Sequence, residues 1–240
     1  MAGLKLRHIL VTSVVLAVAV VAAAPCSATS ITANAGSTLA TAQDLTSAGP
    51  TEIFGSLNGD PNDVAFFKIY LFQPTLFSAM TVDSGAFGIP DTVLALFDMN
   101  GNGIYLNDDI SGGNTLSCIS VIAGAGNPCP TNGSVPLAMG DYYLALSESA
   151  NYPVDASDNE LFAPIFSTDL ATVVSGVGPV AGYDGNSFTS PDTDNVNYDI
   201  VLTGAAPEAG TWFMMASGMA LLVAGIWRRR RQAIGLLRKV

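Results

Sequence analysis

The sequence predicts an all-β protein, a jelly-roll-like β-sandwich flanked by an N-terminal signal helix and a C-terminal transmembrane helix. Three observations lead to that expectation. Residues 29–206 show little helical periodicity. Their short apolar runs alternate with clusters of Gly, Asn, Asp, Pro and Ser, the texture of strands and turns. The long apolar runs lie at the two ends, within 9–24 and 211–227.

Residues 1–28 read as a secretory signal. Lys5 and Arg7 give a positive start, Ile9–Ala24 is apolar, and Cys26-Ser27-Ala28 places small residues before a cleavage point at Thr29. The plain alternative is a retained membrane anchor. The 178 residues of 29–206 suffice for one domain with a real core.

Within that body, VAFFKIYLF at 64–72 is the strongest strand. Val64, Phe66, Lys68, Tyr70 and Phe72 share one face, and Ala65, Phe67, Ile69 and Leu71 the other. Lys68 thus reads as a solvent-side strand residue. Further strands are expected at 75–82, 91–97, from 103 to 106, at 140–147 and at 198–203. The stretch 148–195 reads as a long, polar, Gly/Asp/Ser-rich connection with one strand near 171–174.

Charge is unevenly distributed. The chain carries 9 Lys+Arg, 20 Asp+Glu and a formal net charge of −11. Lys68 is the only basic residue between 29 and 227, and 19 acids accompany it up to residue 207, a net −18. Such a body cannot bind nucleic acid through phosphates, which needs Lys and Arg. The single histidine is His8. Once the signal is removed, histidine-dependent triads and His-ligated zinc are excluded.

Cleavage before Thr29 leaves Cys118 and Cys129, with Gly124, Gly126 and Pro128 between them. An extracytoplasmic compartment permits a disulfide, and two free thiols are the alternative. Asp98-Met99-Asn100-Gly101-Asn102-Gly103 matches a calcium-loop pattern, with Ile104 at the carbonyl position and Asp109 at position 12. Alternating Asx oxygens suit a hard cation, and Gly103 is expected to permit the sharp turn. A strand leads into this segment, so a plain β-hairpin turn competes with calcium. Asp184-Gly185-Asn186 with Asp192, Asp194 and Asn195 is a second Asx-rich stretch, more simply a solvated loop.

Thr211–Trp227 is 17 residues without a charge, bracketed by Trp212 and Trp227 and followed by Arg228, Arg229, Arg230 and Arg231. The arginine run places the body outside the cell by the positive-inside rule. Pro207-Glu208-Ala209, the apolar helix and the arginine cluster together resemble the PEP-CTERM sorting signal over 207–231, with Pro-Glu-Ala where that family usually has Pro-Glu-Pro. Residues 232–240 form a cytoplasmic tail. The resemblance implies processing by signal peptidase and then by an exosortase-type protease. It also implies an association with exopolysaccharide or biofilm. A plain tail anchor of the same topology is the alternative.

The body resembles bacterial pre-peptidase C-terminal-like domains over 38–204. Ala42–Leu45, Gly55, Asp63–Phe67, Asp91–Asp98, Asn107-Asp108-Asp109, Gly140–Leu146 and the Tyr198 strand follow that family's order, with 148–195 as an insertion. The resemblance implies a jelly-roll sandwich with an accessory, noncatalytic role. It also implies that Asp63, Asp91, Asp108 and Asp109 sit near one end, where they are further candidates for calcium.

The expected function is that of an exported, noncatalytic cell-surface or matrix protein, membrane-held through its C-terminal helix. A carbohydrate-binding or adhesive module shares the same fold. A two-carboxylate glycosidase needs no histidine, but the body contains no Trp, and no acid pair stands in an aromatic setting.

Overall fold

A computed structural model describes residues 29–57, 63–83, 91–122, 128–130, 137–163, 170–185 and 196–206, together with 218, 219 and 223. The signal segment 1–28, Pro207–Ala209, Arg228–Arg231, the tail 232–240 and nearly all of the 211–227 span lie outside the described residues. No helix among the described residues is long and apolar enough to cross a membrane.

The described residues form 14 strands, in chain order β1 (Ser30–Thr32), β2 (Gln43–Asp44), β3 (Glu52–Leu57), β4 (Val64–Leu71), β5 (Ser78–Val82), β6 (Thr92–Phe97), β7 (Gly103–Asn107) and β8 (Cys118–Ser120), then β9 (Gly140–Glu148), β10 (Pro153–Val154), β11 (Phe162–Ala163), β12 (Thr172–Val173), β13 (Gly182–Tyr183) and β14 (Val196–Thr203). Two five-stranded sheets result. The first runs β1-β3-β14-β5-β8 and the second β2-β4-β9-β6-β7. Pairing is antiparallel except where β1 meets β3 and β2 meets β4.

The two sheets share one apolar core. Ile53, Ala79, Ile119, Ile200 and Leu202 come from the first sheet, and Phe67, Ile69, Leu94, Leu96, Leu144 and Leu146 from the second. The all-β expectation is met, and the strands at 64–71, 92–97, 103–107, 140–148 and 196–203 fall where the alternation places them. The strand expected from 75 starts only at Ser78. Pro74–Leu76 is instead a turn of 3-10 helix with Pro at its start, where the missing N–H costs nothing.

β3 was not expected, although it lies inside the first sheet. Gly55 interrupts its alternation, and the structure shows why a glycine stands there. Gly55 faces Tyr198 on β14, and the Tyr198 side chain fills the space a Cβ would occupy.

The stretch 148–195 departs most from expectation. Its described part holds the strand expected near 171–174, as β12, but is more than a polar connection. Tyr152, Leu161, Phe162, Ala171 and Val180 are buried against Val64, Phe66, Val93, Ala95, Phe97 and Ala145, the opposite face of the second sheet, as a second core. Two short pairs, β10–β13 and β11–β12, hold the segment in register. Phe162 packs edge-on to Phe97, with ring centroids 6.1 Å apart. Gly103 leaves the room, since a Cβ there would stand 2.5 Å from Phe162 Cζ.

A buried polar seam joins the two sheets beside the core. Thr81 Oγ1 on β5 and Thr92 Oγ1 on β6 are 2.8 Å apart, and the Ser117 N–H donates to both, at 2.8 and 3.0 Å. Ser117 Oγ donates to the Thr92 carbonyl and to that of Asp108. Asn107 Oδ1 accepts from Cys118 N–H at 2.7 Å. Buried hydroxyls satisfied this fully are stable where unsatisfied ones would not be.

Replacing Phe162 by Ala is expected to lower stability by about 3–5 kcal/mol, the usual cost of an aromatic cavity in a core. Denaturant unfolding of the purified protein measures it. A loss below about 1 kcal/mol, the range of surface substitutions, would mean that the insertion does not share in the fold.

Candidate functional site

The second sheet gathers acids at one end because of its strand order. Thr92 pairs with Glu148, Leu94 with Asn107, and Val64 with Ser147. Asp63 before β4, Asp91 before β6, Asp108 and Asp109 after β7 and Glu148 at the end of β9 therefore belong to the same edge of the sandwich. Residues 149–152 of the insertion close over it. Ser149 N–H donates to the Asp91 carbonyl at 3.2 Å. Asn151 Nδ2 reaches the Asp63 carbonyl at 3.5 Å. Tyr152 OH donates to Asp108 Oδ2 at 2.9 Å.

Asp108 is the centre of this end, with 3% of its surface exposed. Its Oδ1 and that of Asp91 are buried without a hydrogen-bond partner. Burial pushes the Asp108 carboxyl up to about 6; the Tyr152 hydrogen bond opposes this, and the charges of Asp91 and Asp109 add to it. Asp91 is raised by burial and by Asp109, Asp109 by burial, and Glu148 by burial and by Asp63 and Asp91. Burial and Asp108 raise Tyr152, which keeps its hydroxyl a proton donor.

The calcium-loop residues are divided. Asp98 lies at the far end of β6, seven residues from Asp91, about 23 Å along the strand. Its carboxylate is occupied within its own turn: Oδ1 accepts Asn100 N–H at 2.8 Å and Asn102 N–H at 2.9 Å, and Oδ2 accepts Asn102 Nδ2 at 2.8 Å. Burial works against ionisation of Asp98, and the Asn102 and Asn100 hydrogen bonds outweigh it, leaving the pKa lowered. The sharp turn falls at Gly101, with φ +81°, and not at Gly103. Ile104 sits where the β6–β7 register shifts, partly buried against the main core. Asp98, Asn100 and Asn102 thus stand at one end of the hairpin, and Asp109 is carried to the other with Asp63, Asp91 and Asp108. Among the described residues, no three acidic side chains converge on a point that could hold a metal by themselves.

The insertion repeats the Asp98 turn. Asp155 Oδ1 accepts Ser157 N–H at 2.8 Å and Asn159 N–H at 3.0 Å, and Oδ2 accepts Gly178 N–H at 3.1 Å. The Asn159 and Gly178 backbone bonds, with smaller help from Asn159 and Ser157, hold its carboxyl down at about 2. Asp158, with φ +58°, takes the left-handed position that Gly101 takes in the first turn. Both are capped turns whose carboxylates are already spent. Asp184 is likewise engaged, accepting from Tyr152 N–H at 3.1 Å.

Lys68 is a strand residue on the second sheet, as expected, but it is paired. Its Nζ lies 2.8 Å from Asp141 and 4.0 Å from Asp44. The Asp141 hydrogen bond raises its pKa most. Cys118 on β8 and Cys129 are joined by a disulfide. Sequence reasoning missed Glu148, Ser149 and Tyr152. Their signal was the Glu-Ser step directly after a strand, but it points to the acids only once β9 is known to lie between β4 and β6. Neither a protein-family model nor a curated protein matches the chain.

Because the folded Asp108 holds a proton that the unfolded chain releases between pH about 4 and 6, stability should fall as pH rises through that window. With divalent cations chelated, the drop attributable to Asp108 is at most about 3 kcal/mol at 1.4 kcal/mol per unit. Asp108→Asn should flatten the profile there. Identical profiles for the two proteins would contradict the shift.

Proposed function

We propose that this chain is an exported, noncatalytic protein of the cell surface or extracellular matrix. It is delivered by its N-terminal signal and held by its C-terminal helix. An exosortase-type protease then sorts it, in association with extracellular polysaccharide. The observation that carries export is the Cys118–Cys129 disulfide, a link that persists in oxidising compartments and is rare in the cytosol. The acidic body, with its one lysine spent on Asp141 and Asp44, suits solubility outside the cell and is repelled by anionic membrane surfaces. The sorting route rests on Pro207-Glu208-Ala209, the apolar 211–227 and Arg228–Arg231. The jelly-roll form of the sandwich belongs to the same reading, through the pre-peptidase C-terminal-like resemblance.

A second reading, a carbohydrate-binding or adhesive module, is favoured by one feature. Tyr70 and Phe72 stand side by side at 4.6 Å on the second sheet's outer face, beyond the part the insertion covers. Lys68 and Asp141 flank them as polar groups. Such half-exposed rings can stack on sugar faces. Loss of glycan-array binding in Tyr70→Ala, with the fold intact, would move the emphasis to this reading.

Mass spectrometry of the surface protein tests the main reading. The mature chain should begin at Thr29 and end before Arg228. Surface protein that retains Arg228–Arg231 would refute exosortase-type processing.

A further inference from the structure

Asp199 breaks a local rule in the middle of the first sheet. β14 is the central strand there, paired with β3 on one side and β5 on the other. Aspartate is depleted in strands, where it has little to pack against. Tyr198, Ile200 and Leu202 belong to the core, so Asp199 and Val201 lie on the outer face. Asp199 is nonetheless only 8% exposed. Its Oδ1 is buried and accepts no hydrogen bond. Burial, and after it the charge of Glu52, raise its pKa. A residue that works against its own strand in this way is expected at a functional site.

Two rows of cross-strand neighbours form its surroundings. Phe54, Asp199 and Val82 stand side by side on β3, β14 and β5, and Glu52, Val201 and Met80 make the next row. Phe54 is 37% exposed, and Met80, Val82 and Val201 are partly exposed. The open face of an antiparallel sheet ordinarily carries polar residues, and here the positions other than the two acids are apolar. The insertion does not cover them, because it packs on the second sheet. An exposed apolar patch of this kind marks an interaction surface.

Charge decides what fits it. A buried, unpartnered carboxylate needs a cation. Lys68, the only basic residue between 29 and 227, is on the second sheet and held by Asp141. A second copy of the chain would set one Asp199 against another between two strongly acidic bodies. A polysaccharide needs hydroxyl-binding groups on several sides, and these rows supply only the two acids. Aromatic, methionine and valine side chains around one anchoring charge match the core of a protein interface.

We propose that the outer face of the first sheet docks a basic segment of a partner polypeptide. A lysine or arginine of that segment pairs with Asp199, and its apolar neighbours cover Phe54, Met80, Val82 and Val201. The stem of such a side chain lies on apolar surface while its head meets the carboxylate. The inference rests neither on the sorting route nor on the Tyr70–Phe72 reading.

The full-length chain in detergent, labelled at its methionine methyl groups, tests it by NMR titration with an end-blocked Val-Leu-Lys-Leu-Val peptide. The Met80 methyl should shift, while those of the exposed Met99 and Met139 should not. The glutamate and norleucine analogues of the peptide should bind at least tenfold more weakly, since breaking one side of a buried charge pair costs that much or more. Asp199→Asn should weaken binding at least tenfold and melt no lower than the parent. Glu160→Gln, in the insertion, should bind as the parent does, which separates docking from general attraction to an acidic body. Val82→Lys places a cation beside Asp199 and should also weaken binding tenfold, so it carries the test if Asp199→Asn fails to fold. A static Met80 methyl, or parental affinity in Asp199→Asn or Val82→Lys, overturns the proposal. Asp199-dependent binding of glucosamine oligomers in place of the peptide, or self-association that shifts Met80 without it, overturns it in favour of an amino sugar or a second copy.

Discussion

Burial of the second sheet on both faces is the constraint from which the rest of the molecule follows. All six residues of β6, Thr92–Phe97, are buried, and they feed two different cores. Leu94 and Leu96 point to the first sheet, while Val93, Ala95 and Phe97 point to the insertion. An antiparallel sheet commonly has one wet face, with polar residues alternating. Here alternation gives way to a continuous apolar strand, and a strand of that kind must be covered twice. The first sheet covers one side. The insertion covers the other, with Tyr152, Leu161, Phe162, Ala171 and Val180.

That covering decides where polar groups can go. The outer face of β4 is buried at Val64 and Phe66 and opens towards Lys68 and Tyr70, where the insertion stops. The one lysine of the body and the Tyr70–Phe72 pair are therefore found together at the uncovered end. At the opposite end the chain leaves β9 and enters the insertion, at the same rim where β4 and β6 begin and β7 and β9 finish. Strand starts and ends carry turn residues, and in this sequence those are mostly aspartates. Their collection at one rim is thus a product of strand order, and burial there raises the pKa values of Asp91, Asp108, Asp109 and Glu148.

The rim is also held from inside. Thr81, Thr92 and Ser117 form a buried hydroxyl cluster between the sheets, and Ser117 binds the carbonyl of Asp108. Asn107 is fully buried and ties Cys118 N–H to the Asp109 carbonyl. The backbone that presents Asp108 and Asp109 is therefore fixed by the same contacts that carry the chain from the second sheet to β8 in the first. Rigid presentation of this sort separates these acids from the Asp98 and Asp155 turns, whose carboxylates are taken up by backbone N–H groups, that of Asp98 within its own turn and that of Asp155 within its turn and at Gly178.

Much of the fold was legible locally. Period-2 runs located β4, β6, β7, β9 and β14, because a strand's face pattern is written in consecutive residues. β3 escaped because Gly55 breaks its alternation for the sake of Tyr198, a residue more than 140 positions away. The insertion read as polar because its buried residues come in short clusters, at 151–155, 161–162 and 170–171, set apart by exposed polar residues, so no window shows a regular face. The sequence by itself determined the all-β class, the charge of the body and the residue types available for chemistry, since these are properties of composition and short-range pattern. Only the tertiary structure decided which acids meet, that Asp98 and Asp109 stand apart, and that Tyr152 reaches Asp108. Those outcomes depend on strand order and on which face the insertion covers, and neither is encoded within any single stretch of chain.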